Sequence, residues 1–402
     1  MRIMQKNRRE LPYMPDTYRE ECLALTEFEA IGLRSPLNLA DGHSYVNPED
    51  FFPKVSEELS RIWTYACRTP IPAMENEFKA TFADFYNLVT LSGLKRFAVC
   101  PTASNSIDLV GAYLASVSFR VGLVEPTFDN LALLLNRRNV PLVAISEHDF
   151  FDIEKLHHIV ESHNLQSLFI VNPNNPTGLV CEKRQLELLI ELALSKNLLL
   201  IIDSSFRFAR CNQFDDYELL ERSGVKFIVI EDTGKIWPTM DTKASLLCAS
   251  RHCWNLLRQI YDEVFLCTSN FSLALITEFI RSTVDLGGFV FVQDYLLQRK
   301  NLALRLLKDS TLNLAESDSR SVLSFLWLDC SATGLYDIQL TSHLQQRGIS
   351  VLPGRYFYWS SHERNGHNRI RISLMKPLQT VVSGIQLINS GTHLVQSAKR
   401  KQ

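Results

Sequence analysis

Seven short apolar runs, spread through the middle of the chain and separated by amphipathic stretches, constrain its fold more than any other feature. They fall at residues 97–100, 121–124, 142–145, 168–171, 198–202, 227–230 and 246–248. Helical periodicity fills the gaps, most clearly over Lys183–Lys196. Runs apolar on both faces, alternating with helices, predict an α/β fold with a mostly parallel sheet covered on both sides. After about residue 300 the texture changes to a smaller α+β unit. There, residues 321–328, 349–352 and 370–374 read as strands and 336–347 as a helix. Residues 49–92 read as helical, broken by Pro70 and Pro72. The chain thus divides into an N-terminal arm (1–48), a large domain (49–300) and a small C-terminal domain (301–402).

Ligands in open α/β sheets bind beyond the carboxyl ends of the strands, so the loops after each run carry the functional reading. Cys100 is followed by Pro-Thr-Ala-Ser-Asn-Ser106 and then a helical pattern. Free N–H groups of a first helical turn make an anion site, although Ser and Asn are also ordinary caps. Phe128 follows the second run, and Asn172-Pro-Asn-Asn175-Pro-Thr-Gly178 follows the fourth with more turn formers than a turn requires. Asp203 ends the fifth run, where a carboxylate calls for a buried cation. The polar stretch Glu231-Asp-Thr-Gly-Lys-Ile-Trp-Pro-Thr-Met-Asp-Thr-Lys243 then places Lys235 and Lys243 between two buried strands. Solvated lysines are one account of that pair. The other is an aldehyde cofactor bearing a phosphate, held covalently by one amine and clamped by the other.

In chain order these are the parts of a pyridoxal-phosphate (PLP) site. Across roughly residues 60–375 the chain resembles the fold-type I PLP enzymes of the aminotransferase superfamily. The resemblance implies a large domain with a seven-stranded, mostly parallel sheet, a smaller α+β domain and a homodimer. It implies that Lys235 forms the Schiff base, Asp203 pairs with the pyridinium, Asn175 donates to the phenolate oxygen and Phe128 stacks on the ring. Ala103, Ser104, Asn105 and Lys243 would hold the phosphate, with Ser205 among the cofactor contacts. Arg371 matches the arginine that clamps a substrate carboxylate, a role suited to a planar two-pronged donor.

The departures from the usual aminotransferase pattern narrow the resemblance. Asp232 stands where those enzymes carry serine, Lys243 where they carry arginine, and Phe206 where they carry tyrosine. A carboxylate beside the cofactor lysine would repel a phosphate, so Asp232 is expected to face a cationic substrate. Asn38-Leu-Ala-Asp-Gly-His43, Pro126-Thr-Phe-Asp-Asn130, Asp203-Ser-Ser-Phe206 and the Lys235 loop are similar to the PLP- and oxygen-dependent L-arginine oxidase and hydroxylase family. That resemblance implies an arm that closes over arginine, with Thr26, Glu29, Asp41 and Asp232 around its cationic side chain and His43 near the reacting carbons. The substrates would be L-arginine and O2. The products would be 2-oxo-5-guanidinovalerate, its 4-hydroxy derivative or both, with ammonia and peroxide. An aminotransferase, or a cyclising PLP enzyme, acting on a basic or guanidino amino acid is the alternative. A PLP-fold regulator without catalysis is a third. Read without the family, the helix over 23–31 and the Asp-Gly turn describe a capped N-terminal arm rather than a substrate lid.

Composition excludes other classes. The chain has 402 residues, 46% hydrophobic and 21% charged, with net charge −2, which speaks against a nucleic-acid or membrane-surface partner. Basic residues cluster at the ends (Arg8-Arg9, Lys399-Arg400-Lys401) as expected of solvated tails. The N-terminus lacks the apolar core of a signal peptide, and no apolar run reaches the roughly 20 residues of a membrane helix. Nine cysteines without a CxxC pair point to reduced thiols and a cytoplasmic protein. His157, His158, Glu161 and His163 fall on a helical pattern and read as a solvated face, with no metal expected.

Overall fold

The computed structural model describes residues 24–47, 51–239, 242–315, 318–361 and 365–399; Arg8, Arg9, Arg400 and Lys401 of the expected tails lie outside them. The arm comprises helix α1 (Leu25–Gly32) and a two-residue strand β1 (Leu37–Asn38). Pro70 and Pro72 do more than interrupt the helical stretch that follows. Pro70 caps the helix Ile71–Phe85 and Pro72 sits in its first turn, where a missing N–H costs nothing.

All seven apolar runs become strands of one sheet: β2 (Phe97–Cys100), β3 (Val121–Glu125), β4 (Leu142–Ser146), β5 (Ser167–Val171), β6 (Leu199–Asp203), β7 (Lys226–Asp232) and β8 (Ser245–Ala249). Their spatial order is β2-β8-β7-β6-β5-β3-β4, with β8 antiparallel to both neighbours and every other pair parallel. Alternation explains the continuous apolar runs. Val99, Ile170, Ile202 and Val229 pack into the core on one face; Ala98, Phe169, Ile201 and Ile228 pack into the core on the other.

The C-terminal unit holds a four-stranded sheet, β12-β13-β10-β9, built from β9 (Asn313–Leu314), β10 (Phe325–Asp329), β12 (Leu352–Pro353) and β13 (Arg369–Ser373). Two expectations change here. Of 321–328, only the second half is a strand. Ser321 instead donates its hydroxyl to the Gly178 carbonyl, and Val322 N–H bonds Ala209 O, so this segment serves the loops of the large sheet. The run 349–352 splits between sheets, because β11 (Ile349–Ser350) pairs with β1 of the arm while Leu352 pairs with Arg371.

The arm therefore starts against the C-terminal unit and ends at the large sheet. Ser373 N–H bonds Leu39 O at 2.8 Å and Tyr45 N–H bonds Met375 O at 2.9 Å, while Ser44 N–H reaches Gly234 O at 3.3 Å. No helix among the described residues is long and apolar enough to cross a membrane. His157 and His158 lie on the helix Ile153–Ser162, and Glu161 is 3.6 Å from His157.

Candidate active site at the strand ends

Beyond the ends of β5, β6 and β7 lies a cavity of about 210 Å3. Its wall brings together Thr26, Glu29, His43, Ala103, Ser104, Phe128, Asn175, Asp203, Ser205, Lys235, Lys243 and Arg371. Those are twelve of the fifteen residues singled out from the sequence; Asp41, Asn105 and Asp232 stand off the wall.

Each wall residue has a local cause. The helix Ala103–Ser116, α2, is capped by Thr102, whose hydroxyl oxygen accepts from Asn105 N–H at 3.1 Å. The cap presents Ala103 and Ser104 to the cavity and turns the Asn105 side chain back toward Thr102. Asn130 Nδ2 donates to Ser104 Oγ at 3.2 Å. Gly178 closes the Asn172–Gly178 loop with φ +78°, and a β-carbon there would lie 2.7 Å from Ser321 Oγ. Lys235 is fixed by the residues after it: Ile236 and Trp237 are buried, and Trp237 Nε1 donates to Thr283 Oγ1 at 2.9 Å. Behind β7, Glu231 takes buried bonds from Arg207 and Tyr217, and Arg207 also holds Asp216.

The wall carries three fixed cations (Lys235, Lys243, Arg371) against two carboxylates (Glu29, Asp203), a surplus that suits an anionic ligand. Asp203 is buried and forms no ion pair among the described residues. Burial pushes its carboxyl up to about 6, against the Ser205 hydroxyl and N–H that it accepts at 2.5 and 2.9 Å. It is an acid in want of a cation. Ser205 spends its hydroxyl on that orientation.

Arg371 is buried among Phe325, Phe357 and Phe128, its guanidinium carbon 4.9, 5.6 and 5.8 Å from their ring centres. Its Nη2 donates to Ala40 O at 2.8 Å and lies 3.6 Å from Glu29, while its Nε has no partner among the described residues. Nη1 donates to Asn175 Oδ1 at 3.1 Å, which leaves the Asn175 NH2 as the donor side of that amide.

The arm completes the site. A β-carbon on Gly42 would lie 4.0 Å from Lys235 Nζ, so the Asp41-Gly42-His43 turn rests against that lysine. His43 Nε2 is 2.8 Å from Lys243 Nζ, and Nδ1 is 3.1 Å from Asp41 Oδ1. The charge of Lys235 and burial push the imidazole below its ordinary range, against the pull of Asp41.

Asp41 departs from the expected substrate contact because its oxygens are occupied. Oδ1 takes His43 N–H and Nδ1, and Oδ2 takes Asn38 Nδ2 at 2.6 Å and Lys376 Nζ at 2.8 Å. Asp232 is buried, accepts Gly234 N–H at 3.2 Å and forms no ion pair among the described residues. Thr102, Asn38 and Lys376 were not singled out from sequence. Thr102 was legible as a cap in Pro-Thr-Ala-Ser, whereas Lys376 lies 335 residues from Asp41.

Pyridoxal phosphate fits these residues. Asp203 can face a ring-nitrogen cation, the Asn175 NH2 can face the phenolate oxygen, and the start of α2 with Lys243 forms an anion cradle.

The aminotransferase class I and II family model matches residues 67–381. Among solved structures, that of MppP soaked with the product 2-ketoarginine aligns at TM-score 0.77 and 29% identity, covering 88% of this chain and 99% of that one. LysN, an α-aminoadipate aminotransferase of Thermus thermophilus complexed with N-(5'-phosphopyridoxyl)-L-leucine, aligns at TM-score 0.75 and 15% identity over 96% of this chain and 98% of its own. A dihydroxyacetone phosphate transaminase of Campylobacter jejuni subsp. jejuni is 28% identical over 89 residues. That match covers 22% of this chain and 24% of the relative, so the chain spans about a quarter of that curated protein.

Proposed function

This chain belongs to the class I and II aminotransferase family, with pyridoxal 5'-phosphate as its cofactor, and from that premise we propose that it oxidises L-arginine with O2. The balanced reaction takes arginine, O2 and water to 2-oxo-5-guanidinovalerate, ammonia and hydrogen peroxide; the 4-hydroxy product requires a second O2 and a second water and releases a second hydrogen peroxide. What carries the reading is the arm that closes the wall above Lys235 with Thr26, Glu29 and His43. The likeness to MppP, a structure of which was soaked with 2-ketoarginine, supports the same substrate.

When bound, the cofactor supplies a carbonyl for an amino group and an electron-withdrawing ring that acidifies the α-carbon. The chain supplies the rest. Lys235 Nζ holds the cofactor and moves protons, and the basic Nε2 of His43 accepts one beside it. Asp203 maintains a cation opposite itself, and Asn175 donates through its NH2. Phe128 offers a stacking face, while Ala103, Ser104 and Lys243 hold the phosphate; Asn105 acts through the Thr102 cap. Ser205 acts through Asp203. Arg371, on the cavity wall, receives the substrate carboxylate through its guanidinium. Thr26 and Glu29 line the substrate side, and the buried, unpaired Asp232 supplies the charge that favours a guanidinium. The closed arm excludes bulk water. A homodimer in the cytoplasm is the proposed working form.

A second reading, transamination of a basic or guanidino amino acid, has the family match in its favour. Oxygen consumption separates the two. Purified protein given arginine alone should take up O2 and release peroxide and ammonia with no 2-oxo acid acceptor present. Turnover that requires an acceptor would exclude the oxidase.

A further inference from the structure

We propose that Lys376 is a positioning residue for His43: acting through Asp41, it holds the imidazole in its Nδ1–H form with Nε2 turned to Lys243. The inference rests on the functional reading above for what His43 does, but not for how His43 is held.

The four groups form a continuous chain. Lys376 Nζ donates to Asp41 Oδ2 at 2.8 Å, Asp41 Oδ1 accepts from His43 Nδ1 at 3.1 Å, and His43 Nε2 lies 2.8 Å from Lys243 Nζ. A carboxylate can only accept and an ammonium can only donate. The imidazole between them therefore satisfies both ends in one neutral form, with hydrogen on Nδ1 and a lone pair on Nε2. Protonating Nε2 would set an N–H against an ammonium. A neutral His43 with Nε2 unprotonated is the form a base beside Lys235 requires.

Lys376 is built into its place. It is 2% exposed and paired with an equally buried carboxylate. Its Nζ lies 3.8 Å from the centre of the Tyr45 ring, and its carbonyl accepts from Arg299 Nη1 at 3.0 Å. Burial pulls its amine down to about 8, against the attraction of Asp41, so it remains charged at neutral pH. Asp41 is pushed up by burial, yet the His43 hydrogen bond and Lys376 hold it well below the usual carboxylate range. The charged groups acting on His43 are thus Lys235, Lys243 and Asp41, with Lys376 neutralising the last. Without Lys376, Asp41 becomes an unpaired carboxylate beside the imidazole. It then attracts a proton to His43 and loses the bond that aims it.

The test uses the full-length holoenzyme labelled with 15N-histidine, with His43 assigned by loss of its signals in His43→Gln. In the wild type, nitrogen shifts should report a neutral Nδ1–H ring. Lys376→Met should mix the forms or protonate the ring, raising the His43 pKa by about one unit or more. It should move the acid limb of the kcat profile upward and lower kcat by about tenfold or more, with KM for arginine within about threefold. Lys376→Arg, which keeps a cation on Asp41, should restore the wild-type ring and profile. A Lys376→Met protein with unchanged His43 shifts and an unchanged acid limb overturns the proposal. If the Met variant does not fold, Lys376→Gln carries the same expectations and the same overturning result. Should the wild type fail to oxidise arginine, the functional reading falls, while the nitrogen shifts still decide the role of Lys376.

Discussion

Asp41 and Asp232 are both buried acids next to the lysine site, but their charges are treated differently. Asp41 is neutralised within the protein by Lys376, whereas Asp232 has a single backbone N–H and no ion pair among the described residues. An uncompensated buried carboxylate is costly unless a ligand supplies the cation. The type of Asp232 and its place in the Lys235 loop were readable in sequence. The loss of Asp41 to an internal pair was not, since it depends on a residue brought from the far end of the chain. Asp232→Asn should therefore act on substrate charge. A charge-assisted bond contributes roughly 1.5–3 kcal/mol, so kcat/KM for arginine should fall by about 10- to 150-fold. That for norleucine, which has no terminal cation, should change by less than about threefold. Equal losses for the two substrates would remove Asp232 from the guanidinium contact.

Helix α1 shows how an element is held where its sequence alone does not put it. Its pattern gave the helix, and Leu25 and Phe28 give it a buried side against Trp327 and Phe357. Its docking point is less visible: Leu25 N–H donates to Asp129 Oδ2 at 2.9 Å across 104 residues. Asp129 is 3% exposed and its other oxygen has no partner among the described residues. Burial pushes its carboxyl up to about 7, against the Leu25 bond, with Glu29 adding to the rise. With the arm closed, Asp129 binds more protons than a solvated carboxyl does between about pH 4 and 7. Closure should then weaken as pH rises through that window and level off above it. Hydrogen-exchange protection at the arm amides, corrected for intrinsic rates, should be at least about tenfold greater at pH 5 than at pH 8. Asp129→Asn should flatten the difference. A wild-type arm equally protected at both pH values would show that Asp129 does not govern closure.

At the scale of the whole molecule, the large sheet was legible because its strands are apolar on both faces, a pattern that few other architectures produce. The C-terminal unit was less so, because strands as short as β11 and β12 carry no periodicity and belong to different sheets only through partners distant in sequence. The arm joins these two parts, pairing with β11 at one end and bonding Gly234 at the other. Leu25, Phe28 and Ala40 form a small cluster of their own with Trp327, Leu352 and Phe357, while Leu39 joins the C-terminal core and Val46 the core of the large sheet. Removing residues 1–36 takes away Leu25 and Phe28, which contribute about 3–6 kcal/mol of local burial at roughly 1.5–3 kcal/mol each. It also takes Thr26 and Glu29 from the wall, but leaves His43, Lys235, Asp203, Asn175 and Lys243. The shortened protein should unfold in one transition a few degrees lower, and it should retain pyridoxal phosphate by absorbance. Its preference for arginine over norleucine should fall by about tenfold or more, since the substrate side of the cavity is opened to water. Loss of the cofactor with the arm would make this segment part of the cofactor site, and an undiminished preference would deny it any part in choosing the substrate.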